Sequence, residues 1–399
     1  MKLFSNRGNI FLRLADKCLG ILLLIILSIL TKKRQKPTKI TNIAIFKSAA
    51  IGDLVLISAV LKDLKRSNAD LNITMVLGED NHALLPLLQH YDHCLKINVS
   101  RPLRAIKRIR KEKFDCFIDL GSWPRIDAVI SFFSNSECVI GYQTRNQYRH
   151  YAYDLIFKHN DQIHELDNYR NVFSQLFGIE CNSLPELIAP PPGEKFSEDD
   201  FILVHMWPGG YKSHYKEWKR EYWHKLFQKI IKDKYLIVLS GTKADLKNND
   251  YFEIAFGKDK VINIAGKFNL YDLADIIYQS AAVVSVNTGI AHMSAALGRP
   301  TVCLNGPTSP KRWAPLGEHV KNINSETAEH IVKSLKIESA RLFGEDIQVI
   351  ITGSTLLALH TSKHLVKNLT TSFMLAFIII FISMIFLFKS IRLSILSVL

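Results

Sequence analysis
From residue 42 onward, short and largely apolar runs alternate with longer segments in which apolar residues recur at helical spacing. Such runs, rich in β-branched and aliphatic residues and bounded by turn formers, are the signature of strands buried on both faces. The pattern predicts strands at Asn42–Phe46, Asn72–Val76, His93–Ile97 and Cys116–Leu120, with a helix over Leu54–Leu64 after the first of them. Farther along it predicts strands at Phe201–His205, Tyr235–Leu239, Val261–Ile264, Ala282–Val286 and Thr301–Leu304. The intervening helices are Tyr222–Ile231, Leu270–Ser280 and Gly289–Leu297. Repeated strand, helix and strand in this order mean α/β architecture with parallel sheets covered by helices on both faces.

The two series are separated by a polar, irregular stretch, Glu180–Glu198, which contains Ala189-Pro190-Pro191-Pro192-Gly193. Prolines fix φ and remove backbone donors, so residues 186–200 read as a linker between a first domain, 41–185, and a second, 201–345. Ligands of such folds sit where loops and helix N-termini gather at the C-terminal ends of the strands.

The ends depart from this pattern. Cys18–Leu30 is an uncharged run of 13 residues flanked by Arg13 and Lys17 on one side and by Lys32, Lys33, Arg34 and Lys36 on the other. It is shorter than the roughly 17–25 residues that span a bilayer, so segment 1–40 reads as an interfacial or re-entrant anchor among anionic headgroups, or else as a helix covering a domain. Leu369–Phe388 holds 20 residues without a charge, closed by Lys389 and Arg392, and makes the tail 346–399 a candidate for a transmembrane helix.

The chain has 399 residues, with 51 Lys plus Arg against 37 Asp plus Glu, a net charge of +14 at neutral pH. Its hydrophobic fraction of 48% excludes extensive disorder. The six cysteines are scattered without CxxC or zinc-like clustering, which points to a reducing compartment and no structural metal. Arg101–Lys113 carries seven cations and one anion. A solvated helix face accounts for it, as does contact with anionic lipid or nucleic-acid phosphate; two hydrophobic flanks favour lipid. No zinc-finger spacing, RNP aromatics or helix-turn-helix pattern accompanies it, so no nucleic-acid partner is expected.

The candidate chemistry lies at two strand-to-helix turns. The first, Lys47–Asp53 (KSAAIGD), lacks GxGxxG, which argues against a nicotinamide dinucleotide there. The second is Val286-Asn287-Thr288-Gly289. Thr288 and Gly289 would present backbone N–H groups at the positive end of a helix, a ready site for phosphate, and Asn287 could cap that helix. His292 lies one turn on and could face the same cleft. Lys216, in Lys216-Glu217-Trp218, supplies a cation that could neutralise a diphosphate. A plain helix cap and a buried polar histidine remain the alternative for this passage.

In four ordered pieces the chain resembles the heptosyltransferase-type glycosyltransferases of lipopolysaccharide core assembly, glycosyltransferase family 9. These are IAIFKSAAIGD, HMWPGG with the following KEW, YLIVLSG, and NTGIAHMSAALGRPTVCLNGPTSPKRWAP, within Asn42–Glu338. The resemblance implies a GT-B fold of two Rossmann-like domains facing a cleft. It implies inverting transfer of a sugar from a nucleotide-diphosphate donor, typically ADP-heptose, to a lipid-linked saccharide acceptor on the cytoplasmic face of the bacterial inner membrane. No cofactor or metal is implied, and inner-membrane lipids are expected as partners. The family's proposed general base falls on Asp53, its donor-phosphate lysine on Lys216, and its phosphate cradle on Thr288 and Gly289. His292 matches a histidine near that cradle, and Asp245 is a candidate near the nucleotide. Asn287 stands where the family usually has aspartate, which leaves the donor sugar and activity itself open. A catalytically degenerate nucleotide- or carbohydrate-binding membrane scaffold is the alternative.

Overall fold
The computed structural model describes residues 10–324 apart from 31, 32, 192, 210–212, 307 and 308. The expected tail 346–399, with its candidate span 369–388, and the end of the expected second domain lie outside the described residues. The chain opens with α1 (Ile10–Leu30) and continues through β1 (Asn42–Lys47), α2 (Ile51–Ser67), β2 (Asn72–Leu77), α3 (Glu79–His82), β3 (His93–Lys96) and α4 (Pro102–Ile109). Next come β4 (Phe114–Asp119), α5 (Arg125–Phe132), β5 (Ser136–Gln143), β6 (Leu155–Lys158) and α6 (Glu165–Phe177). A second series holds β7 (Phe201–His205), α7 (Arg220–Lys232), β8 (Leu236–Ser240), α8 (Leu246–Phe256), β9 (Val261–Asn263) and α9 (Leu270–Gln279). It ends with β10 (Ala282–Val286), α10 (Gly289–Ala296), β11 (Thr301–Asn305), α11 (Pro310–Trp313) and β12 (Val320–Asn324).

Each series makes one six-stranded sheet, in the orders β3-β2-β1-β4-β5-β6 and β12-β11-β10-β7-β8-β9. All their pairings are parallel. This is the α/β architecture with parallel sheets that the strand and helix pattern predicts, and it accords with the GT-B fold that the resemblance implies. Alternation along the strands decides what covers each face. Ile43 and Ile45 pack against α2 and α6, whereas Ala44 and Phe46 meet Ala105 and Ile109 of α4 and Ile130 of α5. Helix α2 is buried nearly all round because it touches the sheet, α6 and α10 at once. The same apolar cluster that holds Ile45 and Leu54 continues through Ile290 and Met293 to Val283, so the two sheets share one core. Among its described residues the stretch 179–200 forms neither helix nor strand. Its backbone N–H groups at Leu187 and Ile188 donate to Ala296 of α10 and to Leu87 of the first series.

The structure adds elements the sequence pattern does not show, among them strands β5, β6 and β12 and helices α5, α6 and α8, and it gives the first apolar segment a definite form. The apolar segment Cys18–Leu30 belongs to a 21-residue helix that begins at Ile10. Leu24 of α1 packs on Ala128, Val129 and Val139, and the Asp16 carboxylate accepts from the Ile126 N–H at 2.9 Å. No described helix is long and apolar enough to cross a membrane. Strand β5 is interrupted by Ser136, Glu137, Gly141 and Gln143, and β6 is a four-residue edge strand, so neither shows the uniform apolar run that marks a central strand.

Candidate active site
Helices α2 and α10 follow β1 and β10 and meet N-terminus to N-terminus. A Cβ on Gly52 would lie 2.9 Å from Cδ2 of His292, and one on Gly289 would lie 3.0 Å from Cβ of Ile51. A side chain at Gly52 would force a shift of the His292 ring or of the helix end, and one at Gly289 would make Ile51 give by a few tenths of an ångström. The helix end bearing Asp53 therefore faces the helix end bearing Thr288 and Gly289. These two turns are what the sequence singles out, and the fold brings them together.

Asp53 occupies the first turn of α2, where a carboxylate is favoured by the helix dipole. Its side chain is 11% exposed and lies 3.4 Å from Nζ of Lys47. The Tyr169 hydroxyl donates to its Oδ1 at 3.1 Å. Lys47, at the end of β1, is buried; its Nζ also donates to the Leu120 carbonyl at 3.0 Å and to the Tyr169 hydroxyl at 2.9 Å. Burial, followed by the negative charges of Asp53 and Glu165, holds the Tyr169 hydroxyl well above its ordinary pKa, so it remains a donor. A cation and a neutral donor thus fix the carboxylate while leaving part of it accessible.

The Asp53 turn is braced from beneath. Ser48 donates to Asp127 Oδ2 at 2.5 Å. Burial first, and then the neighbouring Asp119 charge, push Asp127 up to about 7. Asp119 itself is paired with the fully buried Arg149 at 2.6 Å and accepts from the Tyr153 hydroxyl at 2.7 Å.

Opposite, Thr288 is the N-cap of α10 but makes no side-chain capping bond. Its hydroxyl lies 3.3 Å from that of Ser285. With no side-chain cap, the first-turn amides of α10 are left to other acceptors, in the arrangement that suits phosphate oxygens. His292 is buried, and burial is the main cause that lowers it to about 4, so the ring is neutral at physiological pH. Its Nδ1 has no hydrogen-bond partner among the described residues. Asn287 is fixed by its amide nitrogen, which donates to Asn305 Oδ1 at 2.5 Å and to the Trp313 carbonyl at 2.9 Å. Aspartate could satisfy neither acceptor.

Lys216 ends a short 3-10 turn after β7, and burial lowers its pKa. Because β7 pairs with β10, the turn leaves the same sheet edge as the α10 cradle, although no described contact joins Lys216 to Thr288 or Gly289. Asp245 follows β8, one strand farther out, and its Oδ2 accepts from the backbone N–H and hydroxyl of Thr242 in a capping box. Among the described residues no group of three His, Cys, Asp or Glu is placed to hold a metal ion.

A second contact joins the two series. Arg312 of α11 bonds Glu165 Oε2 through Nη2 at 3.1 Å, and His159 Nε2 lies 3.1 Å from the same oxygen. Burial opposes ionisation of Glu165, but the hydrogen bond from His159 and the charges of Lys47, His159 and Arg312 outweigh it and lower its pKa. His164 accepts from the Leu166 N–H on Nδ1, which leaves Nε2 to donate to the Ala314 carbonyl at 2.9 Å. Lys47, Tyr169, Glu165 and Arg312 escape the sequence reading. Only Lys47 leaves a trace there, as a charge closing an otherwise apolar strand.

Comparison with known proteins bears on the family and the fold. Residues 103–340 match the model of glycosyltransferase family 9 (heptosyltransferase). Lipooligosaccharide heptosyltransferase 2 of Haemophilus influenzae is 31% identical over 119 residues, which is 29% of this chain and 34% of that protein. The chain therefore matches about a third of the length of this curated relative. Among solved structures, the Escherichia coli ADP-heptose lipopolysaccharide heptosyltransferase II superposes with a TM-score of 0.62 at 19% identity, covering 72% of this chain and 92% of that one. A family 9 glycosyltransferase from Veillonella parvula gives 0.65 at 19% identity, covering 76% and 91%. At such identities the superpositions establish the fold. The family match extends over more than half of the sequence, and the chain belongs to glycosyltransferase family 9.

Proposed function
We propose that the protein transfers a heptose from ADP-heptose to a lipid-linked saccharide in lipopolysaccharide core assembly, on the cytoplasmic side of the inner membrane, with inversion at the anomeric carbon. The observation that carries the proposal is the opposition of the Asp53 carboxylate at one helix N-terminus to the α10 N-terminus, through the close approach of Gly52 to His292. An inverting transfer needs a base on one side of the anomeric carbon and stabilisation of a leaving diphosphate on the other.

In this reading an acceptor hydroxyl attacks the anomeric carbon as Asp53 takes its proton. The bond from that carbon to the diphosphate oxygen breaks, and the oxygen keeps the electron pair. Negative charge growing on the diphosphate is met by the first-turn amides of α10, by the helix dipole and by Lys216. Lys47 and Tyr169 orient Asp53. Neutral His292 walls the donor side without adding charge.

The test is product formation with ADP-heptose, UDP-sugars and GDP-sugars, each with a lipid-linked core acceptor. Transfer from ADP-heptose with an inverted linkage is expected. Binding of nucleotide without transfer from any donor would favour the degenerate scaffold instead, a reading to which the Asn287 substitution lends weight.

A further inference from the structure
Helix α1 shows its apolar side to solvent. Leu19, Leu22, Leu23 and Ile26 follow the i, i+3, i+4, i+7 spacing of one helical stripe, and they are 61%, 56%, 44% and 42% exposed. Ile29, farther along, is 78% exposed. Gly20 and Leu24, on the opposite side, are buried against α5. Contacts from within the helix and from the chain beyond it hold it to the fold. Asp16 accepts from Ile126 N–H, and Arg34 pairs with Asp154 at 3.0 Å.

The cationic helix α4 lies in the same layer, since α1 and α4 both pack on α5 over one face of the first sheet. Leu103 of α4 is 81% exposed. A groove of about 470 Å³ beside it is lined by Leu95, Arg104, Lys107, Arg108, Lys111 and Glu112.

We infer that this layer is a docking surface for an anionic lipid bilayer, with the α1 stripe entering the acyl boundary and the α4 cations meeting the headgroups. Charge complementarity selects this occupant. An aliphatic stripe without Trp, Tyr or Arg at its centre lacks the residues that anchor protein partners, whereas cations flanking aliphatic side chains match an interface of hydrocarbon beneath phosphate. The inference stands independently of the transfer reaction.

The test uses the full chain with Cys18, Cys94 and Cys181 replaced by alanine. A fluorescent probe is placed at Ile26→Cys or, as a control on α8, at the exposed Lys247→Cys. Phosphatidylcholine vesicles with brominated acyl chains are added, with and without phosphatidylglycerol. Quenching at Ile26→Cys that requires phosphatidylglycerol and spares Lys247→Cys is expected. The triple change R104Q/K107Q/R108Q should weaken this docking on the order of 100-fold, read as loss of that quenching. An unquenched Ile26→Cys probe overturns the inference even if the chain reaches the vesicles by another segment. Equal quenching without phosphatidylglycerol overturns it too. So does self-quenching of Ile26→Cys without vesicles, which would assign the stripe to a second copy of the chain.

Discussion
Gly52→Ala perturbs the contact on which the site geometry depends. The added methyl would sit 2.9 Å from His292 Cδ2 and 3.4 Å from its Cγ and Nε2. Ordinary carbon contacts begin near 3.5 Å, so one side must yield by roughly 0.6 Å. The His292 ring is buried and part of the packed α2–α10 contact, which directs the displacement into the spacing between Asp53 and the α10 N-terminus. Alanine suits a helix better than glycine by about 1 kcal/mol, so the substitution should not weaken folding much. A displacement approaching 1 Å can lower a transfer rate about 100-fold when reacting groups must be aligned. Initial rates with ADP-heptose and acceptor should therefore fall by between about 10- and 100-fold. The thermal midpoint should stay within a few degrees of wild type, and donor affinity should change little because α10 keeps its own amides. A folded Gly52→Ala protein with wild-type rates would refute the reasoning, since the two helix ends could not then meet this way during transfer.

Three further outcomes follow from individual side chains. Asp127 is raised to about 7 from its ordinary 3.8, so the unfolded chain releases this proton first. The stability linked to it is complete below pH ~4 and is lost as pH rises toward ~7. Asp127→Asn should accordingly gain on wild type in urea unfolding as pH rises through that window, and a pH-independent difference would count against the assignment. Asn287→Asp sets a carboxylate against Asn305 Oδ1 and the Trp313 carbonyl, and should lower unfolding free energy by roughly 2–4 kcal/mol; wild-type stability would show that this pocket tolerates the charge. Lys216→Ala should weaken ADP-heptose binding by about 10- to 100-fold in calorimetric titration, as expected for loss of a charge-assisted contact. Unchanged affinity would remove Lys216 from the donor site.

Much of the fold is legible because parallel strands buried on both faces are largely apolar. Ile43–Phe46, Phe201–Val204 and Ala282–Val286 each announce themselves in this way. The turns that follow β1 and β10 are legible for the same reason, since a strand, a small-residue turn and a helix put Asp53 and Thr288-Gly289 at predictable places. What stays hidden depends on distant chain meeting distant chain. Tyr169 is an ordinary aromatic of an amphipathic helix until α6 packs beside α2, and Glu165 is one acid among many until Arg312 reaches it from the other sheet. The Cys18–Leu30 run shows the same limit. Its composition reads first as a bilayer-interface anchor and only second as a covering helix, and the Asp16–Ile126 bond and the burial of Leu24 reveal that the helix is seated on α5.

The central claim is that Asp53 removes the acceptor proton. Asp53→Asn nearly preserves size and can still accept from Tyr169, but it cannot take a proton, so measuring both donor affinity and single-turnover transfer isolates the chemistry. Donor binding close to wild type, with transfer slowed by about 100-fold or more, is expected. Transfer at the wild-type rate in the folded variant would contradict it.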